Sequence, residues 1–206
     1  MNKDTQIKVF FSGGLPKSGS NMIKNVLSQN KKIAIHPYSP IVDSLSTIKS
    51  TLFNQEALRN RNISSFEECI KQFFNQGMVG WANGVNKKAS VYIDDNRNWL
   101  GNLEDLENIF NGKMIVFIKD LKSIINSLEY NTGFTSNFYQ YQPNNKQLQR
   151  VIKIFDLDFI KIPLTGIHRI IEEKNKDNFY FTKYENLVSN PEKELRNIYK
   201  FLNMKY

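Results

Sequence analysis

This sequence predicts an α/β fold of three layers, α/β/α, with helices on both faces of a central parallel sheet. Three observations point there. Apolar runs such as Lys113–Ile118 lack strict alternation, as strands buried on both faces do. These runs alternate along the chain with stretches whose apolar residues recur at helical spacing. Polar and glycine-rich segments follow the runs at Gly13–Ser20, Asp94–Trp99, Lys119–Ser127 and Lys183–Glu185. In open parallel sheets, ligands lie at the carboxyl ends of strands. The chain has 206 residues, with no internal repeat and no linker, which suits one domain over 1–206.

Taken in order, Lys8–Phe11 reads as a buried strand, followed by a Gly-rich turn and a helix marked by Met22, Ile23, Val26 and Leu27. Lys32–Pro40 is a short strand or a loop, limited by Pro37 and Pro40. A polar helical region runs to about Asn62. Phe66, Ile70, Phe73 and Phe74 then mark an amphipathic helix begun near Ser64 or Ser65. Ala89–Ile93 is a second buried strand, and Leu103, Leu106 and Phe110 mark another helix. Lys113–Ile118 is the clearest strand, followed by a helix with Leu121, Ile124, Ile125 and Leu128 on one stripe. Residues 129–146 read as a long loop of the kind that often carries function. Leu148–Phe155 is helical, and a shorter helix covers Thr165 to Lys174. Phe179–Thr182 is a further strand. Asn190 caps a last helix with Pro191 in its first turn and Leu195, Ile198, Tyr199 and Leu202 on its apolar face.

Composition narrows the function classes. Apolar residues are 40% and aromatics 13%, which excludes a disordered chain. No apolar run reaches the roughly 20 residues of a membrane span. The N-terminus lacks an apolar signal core. Cys69 is the single cysteine, so no internal disulfide forms, which fits a cytoplasmic setting. It reads as an inert buried thiol. A net charge of +8 favours an anionic partner. The lysines are scattered, so a nucleotide is preferred over nucleic acid.

The stretch Lys8 to Asn30 organises the rest. Strand, glycine loop and helix aim backbone N–H groups and a helix N-terminus at one point, a seat for phosphate. A Walker A loop would end in Gly-Lys-Ser/Thr, with the hydroxyl on magnesium. Here Ser20 follows Gly19, and the loop's lysine is Lys17. The order Pro16-Lys17-Ser18-Gly19-Ser20, before Asn21, resembles the 5′-phosphosulfate loop of the sulfotransferases, a P-loop-like fold. That family uses 3′-phosphoadenosine 5′-phosphosulfate (PAPS) without a catalytic metal and releases 3′-phosphoadenosine 5′-phosphate (PAP).

Two more landmarks carry the resemblance. Lys119 and Ser127 stand eight apart, as the Arg and Ser that hold the donor's 3′-phosphate do in the family. Lysine keeps the charge and loses the two-pronged grip. Phe181–Leu187, then Pro191 and Ile198–Leu202, resembles the family's Tyr-Glu-Asp-Leu strand, Asn-Pro and Tyr-x-Phe-Leu helix, and implies Tyr184 near the adenine. Relatives usually continue past this helix, so the resemblance implies a bacterial or marine-type member short at its C-terminus.

The resemblance implies in-line transfer of a sulfuryl group from PAPS to a hydroxyl or amine of a small molecule, sugar, lipid or peptide. Lys17 would meet charge on the leaving oxygen, while Ser18 to Asn21 hold the 5′-phosphate. Relatives place a base on the strand equivalent to Val91–Ile93. Asp94 falls at the position of a glutamate base, and Asp95 where many relatives carry lysine. Neighbouring strand residues face opposite ways, so only one of the two can look into the cleft, and Asp94 is preferred. His36 is a third candidate, reading more simply as a surface loop histidine. Arg97 and Trp99 resemble an Arg-x-Trp element lining the acceptor cleft. The competing readings are a non-catalytic PAP-binding module and a P-loop nucleotide kinase or NTPase.

Overall fold

The computed structural model describes residues 7–53, 63–129, 147–172 and 176–206. Among these residues five strands form one parallel sheet in the order β2-β3-β1-β4-β5. They are β1 (Lys8–Gly14), β2 (Ile33–Pro37), β3 (Val91–Asp95), β4 (Met114–Ile118) and β5 (Phe179–Lys183). The prolines near β2 do not prevent a strand, because β2 is an edge that pairs on one side only. His36 is therefore a half-buried strand residue opposite Asp94, not a loop histidine.

The strand side chains divide between two cores. Phe10, Val91, Ile93, Ile115 and Phe117 pack with Ile23 and Leu27 of α1 (Ser20–Leu27), Leu187 of α8 (Tyr184–Ser189), and Ile198 and Leu202 of α9 (Pro191–Phe201). Phe11, Tyr92, Met114 and Val116 face the opposite layer. That layer holds α2 (Ile41–Phe53), α3 (Ile63–Val85), α4 (Leu103–Asn108), α5 (Leu121–Glu129), α6 (Gln147–Asp156) and α7 (Asp158–Glu172). Burial on both faces is why the strands read as continuous apolar runs. Asn190 caps α9 by accepting a hydrogen bond from the Lys193 N–H at 3.2 Å.

Three local expectations are corrected. The helix expected from Thr165 begins seven residues earlier, at Asp158, and carries Pro163 inside it. A proline costs one helical hydrogen bond, but its ring is buried here. The helix also presses on its neighbour at Gly166, where a Cβ would collide with the Leu100 carbonyl. Cys69 is exposed, not buried, because Phe66, Ile70 and Phe74 take the inward face of α3. Phe73 likewise points outward. The stretch 129–146 lies outside the described residues except for Glu129, which ends α5. No helix among the described residues is long and apolar enough to cross a membrane.

β1 sits between β3 and β4, and chain order departs from it in both directions. The segments after β1, β3 and β4 are thereby gathered at one end of the sheet, the usual crevice of an open α/β sheet.

Candidate active site

The turn between β1 and α1 is held by backbone geometry that few residues adopt. Gly19 caps α1 at φ 83°, and Lys17 takes φ 60°. Such a left-handed lysine costs roughly 1–2 kcal/mol, a strain that tends to persist where a loop is shaped for a ligand. No side chain caps α1. Apart from Met22, whose N–H returns to the Gly19 carbonyl at 3.0 Å, its first N–H groups are left to an anion or solvent, at the end of the helix that carries about half a positive charge. The Ser18 side chain is buried, and its Oγ has no hydrogen-bond partner. A buried hydroxyl without a partner is costly, so Ser18 fits a loop that closes around phosphate oxygens.

Above this turn lies a cleft of about 520 Å³. Gly13–Lys17, Ser20 and Asn21 form its floor, and Asp95, Asn96 and Arg97 form one wall. Lys24, Tyr38, Phe117, Leu128 and Phe159 complete the lining. The loop thus brings Pro16, Lys17, Ser20 and Asn21 to one cavity, and Arg97 joins them.

Lys119 and Tyr184 approach the loop from another side. The Lys119 ammonium lies 4.2 Å from the Tyr184 ring centroid. That ring packs so closely on Gly19 that a Cβ there would collide with it. Gly19 is therefore required twice, for its φ and for its missing side chain. Lys119, Tyr184 and the loop form one contiguous surface, although Lys119 itself is not among the residues lining the cleft. Asp120 caps the helix beyond by accepting from the Ser123 N–H at 2.8 Å, a bond that holds its carboxyl below the usual range. Ser127 is half-buried on α5, one residue before the cleft residue Leu128.

The end of β3 overturns one expectation. Asp94 does not face the cleft; it is fully buried on the other side of the sheet. Its Oδ1 accepts from Trp99 Nε1 at 2.8 Å and its Oδ2 from Tyr92 Oη at 2.9 Å, while Trp81 Nε1 donates to that same phenol oxygen at 3.0 Å. Burial pushes the Asp94 carboxyl above its usual range, against the hydrogen bonds from Trp99, Ser39 and Tyr92. Burial, then the neighbouring carboxylate, push the Tyr92 phenol up as well. Trp99 is also buried, 4.7 Å from the Phe11 ring, and does not line the acceptor side. Asp94 and Trp99 instead secure the short 3-10 turn Arg97–Gly101. Asn96 caps that turn through the Asn98 N–H at 2.9 Å. Fixing the turn fixes the base of Arg97.

Asp95 is the carboxylate that reaches the cleft. It pairs with Ser12 across the β1–β3 register, and its Oδ1 accepts from Ser12 Oγ at 2.6 Å. Its Oδ2 forms an ion pair with Lys24. The sequence reading missed Lys24, yet a signal was present: Lys24 stands four residues after Ser20, on the same helix face. Tyr38 and Phe159 carried no comparable signal, since each enters the cleft from a segment with no motif of its own.

A phosphate-type loop and a cleft lined by Lys17, Lys24 and Arg97 lie at the carboxyl end of a parallel sheet in an α/β fold. Sequence comparison gives the family. A profile of the sulfotransferase family matches residues 10–206, and the chain belongs to that family. No curated protein matches it significantly. Among solved structures, the sulfotransferase domain from the curacin biosynthetic pathway superposes with a TM-score of 0.61 at 16% identity, over 97% of this chain and 75% of that one. The sulfotransferase domain of the Synechococcus PCC 7002 olefin synthase gives 0.58 at 15% identity, over 97% and 74%. Mouse sulfotransferase SULT7A1 complexed with PAP gives 0.54 at 16% identity, over 98% of this chain and 59% of that one. At these identities the likeness is one of fold.

Proposed function

We propose that this sulfotransferase-family chain moves a sulfuryl group from PAPS to a hydroxyl or amine of a small-molecule, sugar or peptide acceptor. The observation that carries the reading is the stack of Lys119, Tyr184 and Gly19. It joins a second cation to the phosphate-type loop, as a nucleotide phosphorylated at both ends requires. The unpartnered hydroxyl of Ser18 supports the same reading, as does the fold shared with a PAP complex.

In this mechanism the loop N–H groups from Gly19 to Asn21 and the hydroxyls of Ser18 and Ser20 hold the 5′-phosphate, while the Ser18 N–H donates within the loop to the Leu15 carbonyl at 3.3 Å. Lys119 and Ser127 hold the 3′-phosphate, and Tyr184 borders the adenine. The acceptor oxygen forms its bond to sulfur as the bond from sulfur to the bridging phosphate oxygen breaks. The electron pair stays on the departing PAP, where Lys17 meets the growing charge. Fixed cations aimed at developing charge supply a large share of many enzymes' rate enhancement. The acceptor proton leaves in the same step, and Asp95 is the cleft carboxylate best sited to receive it. Asp94 has no part in proton transfer.

Thermal shift with PAP, magnesium-ATP and adenosine 5′-phosphosulfate tests the reading. PAP without metal is expected to raise the melting temperature most. Selective stabilisation by magnesium-ATP would support a kinase or NTPase instead. Transfer of labelled sulfate from PAPS to an acceptor panel then separates an enzyme from a module that binds PAP without turnover. The Lys17→Ala variant is expected to lose roughly 10²–10³-fold in transfer while retaining weakened PAP binding.

A further inference from the structure

The cleft holds a cation that the phosphate loop does not supply. Lys24 lies one turn into α1, and its side chain is only 14% exposed. Side chains on a helix lean back toward its N-terminus, so the ammonium returns toward the loop and lines the cleft with Lys17, Ser20 and Arg97. Asp95 grips it from β3, and Ser12 in turn fixes Asp95. An ammonium has three N–H donors, and its ion pair with Asp95 takes one of them. This lysine is therefore held in place with donors to spare, on the side of the cleft where it meets Asp95.

Building on the PAPS reading, we propose that Lys24 is a substrate-binding residue that donates to the sulfuryl oxygens of the donor, with Asp95 and Ser12 as its positioning residues. The plainer alternative is that Lys24 only cancels the charge of Asp95, so that an anionic nucleotide tolerates a carboxylate in its cleft. The two accounts differ in what PAPS and PAP should report, because PAP lacks the sulfuryl group. They also differ in a variant where both charges are removed.

The test is a calorimetric titration of PAPS and PAP into the full chain and three variants: Lys24→Met, Asp95→Asn and the double variant. For Lys24→Met, PAPS affinity should fall about tenfold, the size expected for a lost charge-assisted hydrogen bond, and PAP affinity should stay within about threefold. Retained PAP binding also shows that the variant is folded. Asp95→Asn should weaken PAPS by a smaller factor, since Lys24 keeps its charge and loses part of its grip. The double variant should remain as weak for PAPS as Lys24→Met. Restoration of PAPS affinity in the double variant would overturn the proposal and leave Lys24 as a neutralising partner. Equal losses of PAP and PAPS in Lys24→Met would overturn it as well. A wild-type chain that binds neither nucleotide would reject the PAPS reading itself, and the inference with it.

Discussion

Asp94 and Asp95 are neighbours in sequence, and the sheet sends them to opposite worlds. Asp94 lies in the layer under α3 and is surrounded by Tyr92, Trp99 and the Trp81 indole that bonds Tyr92. Asp95 lies on the α1 side, in the cleft, between a serine and a lysine. One carboxylate belongs to a buried polar cluster, and the other lines the cleft, held by Ser12 and Lys24. The difference follows from the two-residue period of a strand. In a parallel sheet covered on both faces, the side on which a residue falls decides its role as firmly as its chemistry does.

The comparison breaks if the two residues respond alike to substitution. The largest effect is expected for Asp95→Ala, with sulfate transfer down roughly 10²–10⁴-fold for loss of a general base and the melting temperature changed less than for Asp94→Ala. Rates of labelled transfer beside a thermal melt check this. Asp94→Ala should act mainly on stability, because it orphans the donors of Trp99 and Tyr92. Each orphan costs about 1–3 kcal/mol, and about 1 kcal/mol lowers the midpoint of a chain this size by roughly 2–4 °C. Calorimetry reads the loss, and an unchanged midpoint would contradict the burial of this cluster.

Gly19→Ala should be the next largest. It meets both a left-handed φ and the Tyr184 ring, so it should destabilise by more than about 1 kcal/mol and weaken PAP in a titration. The smallest effect is expected for Asp94→Asn, which keeps an acceptor for Trp99. Its signature is in pH. Burial raises the folded-state pKa of Asp94, so the folded chain binds more protons than the unfolded chain between the two values. Stability then falls as pH rises from the unfolded carboxylate value toward the raised one. Asp94→Asn should remove that slope, and an identical pH profile in the variant would sharpen the comparison against Asp94.

Much of this was legible in the sequence, for physical reasons that vary by residue. The loop Pro16–Asn21 was readable because close backbone approach and a helix N-terminus restrict the spelling. The strands were readable because double burial demands apolar runs. Asp94 was misassigned because alternation states that neighbours diverge, not which neighbour faces which layer. That choice is set by Tyr92 and Trp99 closing around one carboxylate, a long-range packing event with no local mark. Pro163 obscures the start of α7 in the sequence, since a proline normally interrupts a helix, whereas here it lies inside one with its ring buried. Lys24 carries a partial signal in its helical spacing from Ser20, but nothing local marks its partner, which stands 71 residues away.

One titration bears most directly on the claim that Lys17 and Lys119 bracket a single nucleotide. PAP and adenosine 5′-phosphosulfate, which lacks the 3′-phosphate, are each titrated without metal into the wild type and Lys119→Ala. The account predicts that the variant loses about tenfold for PAP, as for a lost charge-assisted contact, and almost nothing for the analogue. Equal losses for both ligands would contradict it.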